Sequence, residues 1–199
     1  MPILPLRQLA TRVTRTPPRA GRSRVVAIDG PAGSGKTTLA TRLARILEAP
    51  VVHMDDLFPG WDGLAEAPGK LRDWILAPLA AGRKAAYHRY DWERGAYAEQ
   101  VPVPESDVLI VEGCASGSTA AAPYLSLLIW VDAPYDVRRD RGIARDGEMF
   151  APHWERWARQ EDILFAAERT AERADVIVDG DPHVRHDTDA EIVTLSNFR

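Results

Sequence analysis

Five short apolar runs recur along the chain, and polar or helical segments separate them. They span residues 25–29, 51–54, 108–111, 125–131 and 175–178. Each run is continuous rather than alternating and is rich in Val, Ile or Leu, which is typical of strands buried on both faces of a parallel sheet. Because parallel strands need crossover connections, this pattern predicts a three-layer α/β/α domain with a five-stranded parallel sheet.

Helical periodicity follows the first run and also lies inside the longest connection. Residues 38–48 predict a helix with one apolar face, made of Leu39, Leu43, Ile46 and Leu47. Residues 57–106 separate the second and third strands, and a helix is predicted over 70–81. Connections this long are usually functional, and such sheets bind ligands at the carboxyl ends of their strands. We therefore expect this excursion to bind part of a ligand.

The N-terminal segment has a charge pattern of its own. Residues 1–24 contain six arginines and no acidic residue. Apolar residues with roughly helical spacing occur at Leu4, Leu6, Leu9 and Val13, and Thr16-Pro17-Pro18 would end such a helix. We interpret residues 1–23 as a basic helix with a proline-bounded linker, and residues 24–199 as the main domain. A targeting peptide and a nucleic-acid-binding arm are the alternatives.

The composition limits the class of protein. A chain of 199 residues suits one domain, and a net charge of −4 gives no general reason to expect nucleic-acid binding. The single cysteine, Cys114, excludes an internal disulfide and a multi-cysteine zinc site, and we interpret it as a small buried residue. No apolar run approaches the ~20 residues of a membrane span, and no signal peptide is visible. We expect a cytoplasmic monomer or homodimer with neither nucleic acid nor membrane as partner.

The loop after the first strand has the most specific chemical motif. It reads Asp29-Gly30-Pro31-Ala32-Gly33-Ser34-Gly35-Lys36-Thr37-Thr38 and fits the Walker A pattern G-x-x-x-x-G-K-S/T at every fixed position. The glycines let backbone N–H groups turn toward a β-phosphate, Lys36 reaches the β and γ oxygens, and the Thr37 hydroxyl ligates Mg²⁺. The following helix adds its positive N-terminal end. The motif predicts a triphosphate site made by Gly30, Ala32, Gly33, Ser34, Gly35, Lys36, Thr37 and Thr38.

Acidic residues follow the second and third strands. Asp55 stands after the second strand, where a carboxylate would face the γ-phosphate from the acceptor side and could take the proton of an attacking hydroxyl. A helix cap or an Asp-rich turn is the alternative for Asp55 and Asp56. Glu112 follows the four apolar residues of the third strand, which is a Walker B pattern with its carboxylate close to the metal.

An arginine-rich helix is predicted after the fourth strand. Arg138, Arg141 and Arg145 are three or four residues apart and therefore share one face. Converging guanidinium groups neutralise the charge of a transferring phosphoryl group, so we assign these arginines to catalysis. A solvated helix with Asp–Arg pairs is the alternative. Two glycines within residues 138–150 allow movement, and we interpret this segment as a lid.

Together these features resemble the uridine kinase-like branch of the P-loop nucleoside and nucleotide kinases, over about residues 24–180. That family typically shows a strand and loop like Val26-Ala27-Ile28-Asp29-Gly30, a D-x-F-Y-type segment similar to Asp55-Asp56-Leu57-Phe58, and a Y-D-F-type segment similar to Tyr90-Asp91-Trp92. A strand ending in Glu-Gly follows, as in Glu112-Gly113, and then lid arginines spaced like Arg138, Arg141 and Arg145. Five landmarks in order are more specific than any one of them.

The resemblance implies an ATP- and Mg²⁺-dependent enzyme that phosphorylates a hydroxyl of a small molecule, usually the 5′-hydroxyl of a nucleoside. We expect the strand order 2-3-1-4-5. By position, Asp55 would be the general base, and the lid arginines would contact the phosphates together with Lys36. Thr37 and Glu112 would hold the metal, and the adenine would lie near residues 179–182. The acceptor-binding residues would be Asp55, Phe58, Tyr90, Asp91, Trp92 and Arg94.

The sequence departs from the family in the acceptor half. Pro59 stands where the D-x-F-Y pattern has its tyrosine, and the following Asp62-Gly63-Leu64 lacks the family's substrate-gripping pattern. The lid continues with Gly147-Glu148-Met149-Phe150 in place of a longer arginine-rich stretch. The acceptor therefore stays open, with a nucleoside monophosphate, pantothenate, nicotinamide riboside or a sugar acid as alternatives on the same fold. A nucleotide-dependent regulatory ATPase is the alternative outside the kinases.

Overall fold

The computed structural model describes residues 1–195, in which strands and helices alternate. In chain order the elements are β1 (Ile3–Pro5), α1 (Leu6–Arg15), β2 (Arg24–Asp29), α2 (Lys36–Leu47), β3 (Val51–His53), α3 (Ala67–Lys70), α4 (Ala77–Ala80), β4 (Ala86–Asp91), β5 (Ala96–Pro102), β6 (Val108–Glu112), β7 (Leu125–Asp132), α5 (Tyr135–Asp146), α6 (Trp154–Glu168), α7 (Thr170–Arg173), β8 (Val176–Asp179) and β9 (Glu191–Val193). No helix in this part of the chain combines the length and the apolar character that a membrane crossing needs. The last four residues of the expected main domain, 196–199, lie outside the described residues.

Five of the strands form one parallel sheet in the order β3-β6-β2-β7-β8. These are the five strands expected from the sequence, in the expected order 2-3-1-4-5, so the predicted fold class is confirmed. Side chains of β2 alternate between the two faces of the sheet. Val25 and Ala27 join one hydrophobic cluster, and Val26 and Ile28 join the other. The sheet is therefore covered on both faces, which explains the continuous apolar runs.

The strand ends differ from the prediction by at most one residue. The second strand of the sheet stops at His53, because Met54–Asp56 form a single 3₁₀ turn. The third extends to Glu112, and the fifth is shifted by one residue to Val176–Asp179. β3 and β6 pair His53 with Glu112 in register. Asp55, just after β3, and Glu112, the last residue of β6, therefore meet at one edge of the sheet.

The N-terminal segment packs on one face of the sheet. α1 buries Leu6, Leu9 and Val13 in the hydrophobic cluster beneath β2. The assignment of Leu4 to this helix is wrong, because Leu4 lies in β1, which pairs antiparallel with β9. The helix ends before Thr16, where the following prolines exclude further helical turns. The division of the chain at residue 23 stays a prediction.

The excursion between β3 and β6 has more regular structure than the sequence indicates. Helical turns run from Ala67 to Ala80, with a π-helical turn at Leu71–Leu76, where the prediction has a helix over 70–81. β4 and β5 form an antiparallel hairpin that was not predicted. Their side chains are mostly half-buried or exposed and show no clear alternation of apolar and polar residues. The hairpin carries Tyr90 and Trp92 to the turn that follows β3.

Candidate active site

The loop between β2 and α2 turns through three glycines with positive φ, at Gly30, Gly33 and Gly35. Backbone atoms of neighbouring segments also lie close to two of them. A Cβ on Gly30 would lie 2.1 Å from the carbonyl oxygen of Val131, and one on Gly33 would lie 2.1 Å from a carbonyl oxygen of α5. Positive φ and close contact both exclude a side chain at these positions. Gly35 leads directly into α2, which therefore starts at Lys36, two residues earlier than predicted.

Lys36 stands at the first position of α2 and is only 7% exposed. Its Nζ donates a hydrogen bond to the carbonyl oxygen of Pro31 at 2.8 Å. Burial opposes the charge, but the carboxylates around it, among them Glu161 and Glu112, outweigh burial and raise the pKa of Lys36. Lys36 is therefore a cation held at the loop, where a phosphate-binding lysine is needed.

The Thr37 hydroxyl and the Glu112 carboxylate face each other at the sheet edge. Thr37 Oγ1 lies 3.3 Å from each oxygen of Glu112, which is 4% exposed. His53 Nδ1 lies 2.6 Å from Glu112 Oε1, and this hydrogen bond raises the pKa of His53. Within residues 1–195 there is no cluster of three or more metal-ligating side chains. Mg²⁺ prefers oxygen ligands and usually binds one or two carboxylates together with substrate phosphates. The Thr37 hydroxyl and the Glu112 carboxylate therefore fit this ion.

Asp55 lies at the same edge, in the 3₁₀ turn after β3. Its side chain is exposed where it lines a cavity, and partial dehydration by the protein atoms around it is the main cause that raises its pKa. The negative charge of Glu112 raises the pKa further, whereas Arg145 and Lys36 act in the opposite direction. A carboxylate with a raised pKa that faces two cations can act as the general base for a hydroxyl group.

Two cavities border the loop. The larger, of about 420 Å³, is lined by ten of the predicted site residues, namely Ala32, Gly33, Lys36, Thr37, Asp55, Phe58, Tyr90, Trp92, Glu112 and Arg145. The smaller, of about 270 Å³, is lined by Gly33, Gly35, Lys36, Thr37, Thr38, Arg141, Gly142 and Arg145. Only the larger of the two reaches the excursion. Gly33, Lys36, Thr37 and Arg145 line both, so they lie where a donor side and an acceptor side would meet.

Aromatic side chains line the larger cavity where it borders the excursion of residues 57–106. Trp92 donates its Nε1–H to the carbonyl oxygen of Asp55 at 3.0 Å, and its ring centroid lies 4.6 Å from that of Trp61. Trp61 also stacks on Phe150, from the segment after α5, with centroids 5.4 Å apart and planes 13° apart. Trp61 and Phe150 were not predicted as site residues. Flat rings of this kind bind a planar ligand by stacking.

Five predicted site residues line neither cavity, and they are Gly30, Ser34, Asp91, Arg94 and Arg138. Asp91 accepts the backbone N–H of Glu93 and of Arg94 and so shapes the hairpin turn. Arg138 donates from Nε to the carbonyl oxygen of Ala133 at 3.0 Å, and its side chain lies behind the loop instead of over it. Arg141 is held by Asp181, with Nη2 2.7 Å from Oδ1. Of the three arginines assigned to catalysis, the structure therefore brings only Arg141 and Arg145 to the cavities.

Two buried carboxylates behind the loop were not predicted. Asp29 is fully buried and accepts three backbone N–H groups at 2.7–2.9 Å. Burial raises its pKa to about 6, although these hydrogen bonds lower it. Glu161, on α6, accepts the N–H of Ala32 at 2.7 Å. Asp29 could have been found from its place directly before Gly30, whereas nothing in the local sequence identifies Glu161.

Sequence comparison finds relatives over part of the chain, although no family model matches it. The chain is 32% identical over 127 residues to a cytidylate kinase of Haloarcula marismortui, a match that covers 63% of this chain and 60% of that protein. It is 26% identical over 144 residues to a cytidylate kinase of Pyrobaculum arsenaticum, with 70% of each chain covered. The chain thus spans 60% of the length of the first of these relatives.

Structure comparison matches almost the whole domain. The fold is similar to that of a possible uridine kinase from Bacillus stearothermophilus, with a TM-score of 0.63 at 23% sequence identity. The match covers 86% of this chain and 96% of that structure. The α/β fold is therefore that of the P-loop kinases.

Proposed function

We propose that this chain is an ATP- and Mg²⁺-dependent phosphotransferase, and that it moves the γ-phosphoryl group to the 5′-hydroxyl of a nucleoside. One observation carries the proposal: the phosphate-binding Lys36 and the carboxylate of Asp55 border the same cavity of about 420 Å³. A donor phosphate and an acceptor hydroxyl can therefore be held within reach of each other. The similarity to cytidylate kinases and the P-loop kinase fold support the class of reaction.

On the donor side, backbone N–H groups of the loop and the ammonium group of Lys36 would hold the phosphates. Arg141 and Arg145 approach the same loop from α5 and would neutralise charge on the transferring group. Thr37 and Glu112 would hold Mg²⁺, which when bound neutralises charge on the phosphate oxygens.

On the acceptor side, Asp55 would take the proton of the attacking hydroxyl. The Nε1–H of Trp92 donates a hydrogen bond to the backbone of Asp55, so the general base and this aromatic side chain are held together. Trp61, Tyr90 and Trp92 border the cavity and offer ring faces to a nucleobase. A nucleobase bound there would exclude water from the Asp55 carboxylate during transfer.

A nucleoside monophosphate is the second candidate acceptor, because the curated relatives are cytidylate kinases. A phosphate on the acceptor would need free cationic side chains at the aromatic end. Arg89 is the arginine of the excursion that lines the cavity, and its Nε lies 2.6 Å from Glu99. The carboxylates of Asp55 and Asp56 line the same cavity. This balance of charge favours an acceptor without a phosphate.

An ATP-consumption screen tests the proposal. The full chain with ATP and Mg²⁺ is supplied with cytidine, uridine, CMP, UMP or no acceptor, and ADP release is measured. We expect release with the nucleosides and little with the monophosphates. ADP release with CMP or UMP but not with cytidine or uridine would support the second candidate. ATP turnover that needs no acceptor would support a regulatory ATPase instead.

A further inference from the structure

One peptide bond of the phosphate-binding loop is held at both of its polar atoms by charged side chains. The carbonyl oxygen of Pro31 accepts a hydrogen bond from Lys36 Nζ at 2.8 Å, and the N–H of Ala32 donates one to Glu161 Oε1 at 2.7 Å. The next carbonyl oxygen, that of Ala32, accepts a hydrogen bond from Arg138 Nη1 at 3.3 Å. Ala32 lines the larger cavity, so the loop is fixed from behind, by α5 and α6, where it borders that cavity.

Hydrogen-bond donors surround the buried carboxylate of Glu161. It is 2% exposed, and its Oε1 also accepts hydrogen bonds from Trp157 Nε1 at 2.8 Å and Cys114 Sγ at 3.0 Å. Arg138 Nη1 lies 3.8 Å from Oε2. A carboxylate this deeply buried is unfavourable unless it is hydrogen-bonded and paired. Three donors and one guanidinium group compensate the burial of Glu161.

Nucleotide binding changes what holds this peptide bond. The lysine of such a loop contacts the β and γ oxygens, so a bound phosphate competes with the Pro31 carbonyl for the Lys36 ammonium group. The Pro31 carbonyl oxygen also accepts the backbone N–H of Ser34 at 3.2 Å, so this end of the peptide keeps a partner within the loop. At the other end, the Ala32 N–H is held by Glu161, so the orientation of that N–H depends on Glu161.

We propose that Glu161 is a positioning residue for nucleotide binding, which holds the Ala32 N–H so that the loop keeps its phosphate-accepting shape when Lys36 contacts the nucleotide. The inference rests on the proposed function, since it assumes that the loop takes a nucleoside triphosphate. Glu161 acts through Ala32 and lies behind the loop, out of contact with the phosphates.

Two conservative variants separate the hydrogen bond from the charge. Glu161→Gln keeps the chain length and an acceptor oxygen but removes the charge, whereas Glu161→Asp keeps the charge and withdraws it from the Ala32 N–H by one methylene. Titration calorimetry gives the dissociation constants of ADP and ATP for each full-length variant without acceptor. We expect Glu161→Gln to stay within about threefold of the unmodified chain and Glu161→Asp to bind about tenfold or more weakly, the range for one hydrogen bond to a charged group.

Glu168 provides the matched control on the same helix. Its Oε2 accepts the backbone N–H of Thr119 at 2.6 Å and lies 3.8 Å from Arg173, but it has no contact with the loop. Glu168→Asp should lower the melting temperature and leave the nucleotide dissociation constants unchanged. The KM for the acceptor should stay constant in all variants, because Glu161 acts on the donor side only.

The outcomes separate this inference from the proposed function. Unchanged nucleotide affinity in Glu161→Asp would overturn the inference alone, and so would a Gln variant that binds more weakly than the Asp variant. If Glu161→Asp does not fold, a loss of affinity greater than tenfold in Glu161→Gln would also overturn it. Failure of the unmodified chain to bind ADP or ATP would overturn the proposed function together with the inference.

Discussion

Both carboxylate oxygens of Glu112 lie 3.3 Å from the Thr37 hydroxyl, although 75 residues separate the two in the sequence. The parallel pairing of β2 with β6 brings them together, because Ile28 lies opposite Glu112 just before the loop of residues 30–37 begins. Two motifs that are far apart in the chain thus meet at one point of the sheet edge. This meeting point is the basis of our proposal that Mg²⁺ binds there.

Replacing Glu112 with glutamine should therefore lower the affinity for Mg²⁺. The variant loses the anion beside Thr37 and disturbs the hydrogen bond from His53. We expect turnover at saturating ATP to fall about a hundredfold and to recover in part at high Mg²⁺. The measurement is kcat as a function of Mg²⁺ concentration, with the exposed Glu105→Gln as control. An unchanged Mg²⁺ dependence would contradict the assignment.

Asp55→Asn should abolish most phosphoryl transfer while ATP binds almost normally. An amide cannot take the proton of the hydroxyl, so we expect kcat to fall about 10²–10⁴-fold, the usual contribution of a general base. The ATP dissociation constant should change by less than about twofold. Asp56→Asn is the neighbouring comparison, since Asp56 accepts a hydrogen bond from the Tyr87 hydroxyl, and it should affect turnover far less. Near-normal turnover in Asp55→Asn would rule out this base.

Asp29 should make stability depend on pH in a specific direction. Its pKa is raised from 3.8 to about 6 in the folded chain, so the folded state binds the proton more tightly than the unfolded state. The stability that depends on this group is present at low pH and is lost as pH rises through about 6. The full difference is about 3 kcal/mol.

Urea unfolding of the unmodified chain and of Asp29→Asn between pH 4 and 7 measures this effect. The free energy of unfolding of the unmodified chain, minus that of the variant, should increase as pH falls from 6 to 4. Other carboxylates titrate in both proteins, and the subtraction cancels their contribution. A difference that does not vary with pH would show that the burial of Asp29 leaves its pKa unshifted.

Trp61→Ala should weaken acceptor binding without affecting ATP. The substitution removes a ring that stacks near Trp92 and Phe150 at the aromatic end of the cavity. We expect the KM for a nucleoside to rise about tenfold, the lower range for one stacked base. Steady-state kinetics with each substrate varied in turn provides the measurement. Trp74→Ala is the control, because Trp74 packs on Tyr97 in the same excursion but does not line the cavity. An equal rise in the KM for the nucleoside in both variants would contradict an acceptor role for Trp61.

Features that depend on neighbouring residues could be predicted from the sequence. The five strands follow from continuous apolar runs, and the loop from Gly30 to Thr37 follows from a motif of eight consecutive residues. Asp55 and Glu112 could be placed because strand ends of a parallel sheet meet at one edge. In each case the information lies within a few residues of the site.

Features that depend on tertiary packing could not be predicted. Glu161 is 129 residues from Ala32, and its position follows from the packing of α6 behind the loop. Arg138 shares a helix face with Arg141 in the sequence pattern, but α5 packs so closely on Gly33 that the Arg138 side chain turns behind the loop. The hairpin of β4 and β5 was missed because its strands are half-exposed and lack an apolar period.

Identification of the product made from cytidine tests the central claim most directly. The chain is incubated with ATP, Mg²⁺ and either cytidine, 5′-deoxycytidine, which lacks the 5′-hydroxyl, or CMP, and the products are identified by mass spectrometry. We predict that cytidine gives CMP with one ADP formed for each, and that 5′-deoxycytidine and CMP give no phosphorylated product. Equal ADP formation with 5′-deoxycytidine, or conversion of CMP to CDP without conversion of cytidine, would contradict the proposal.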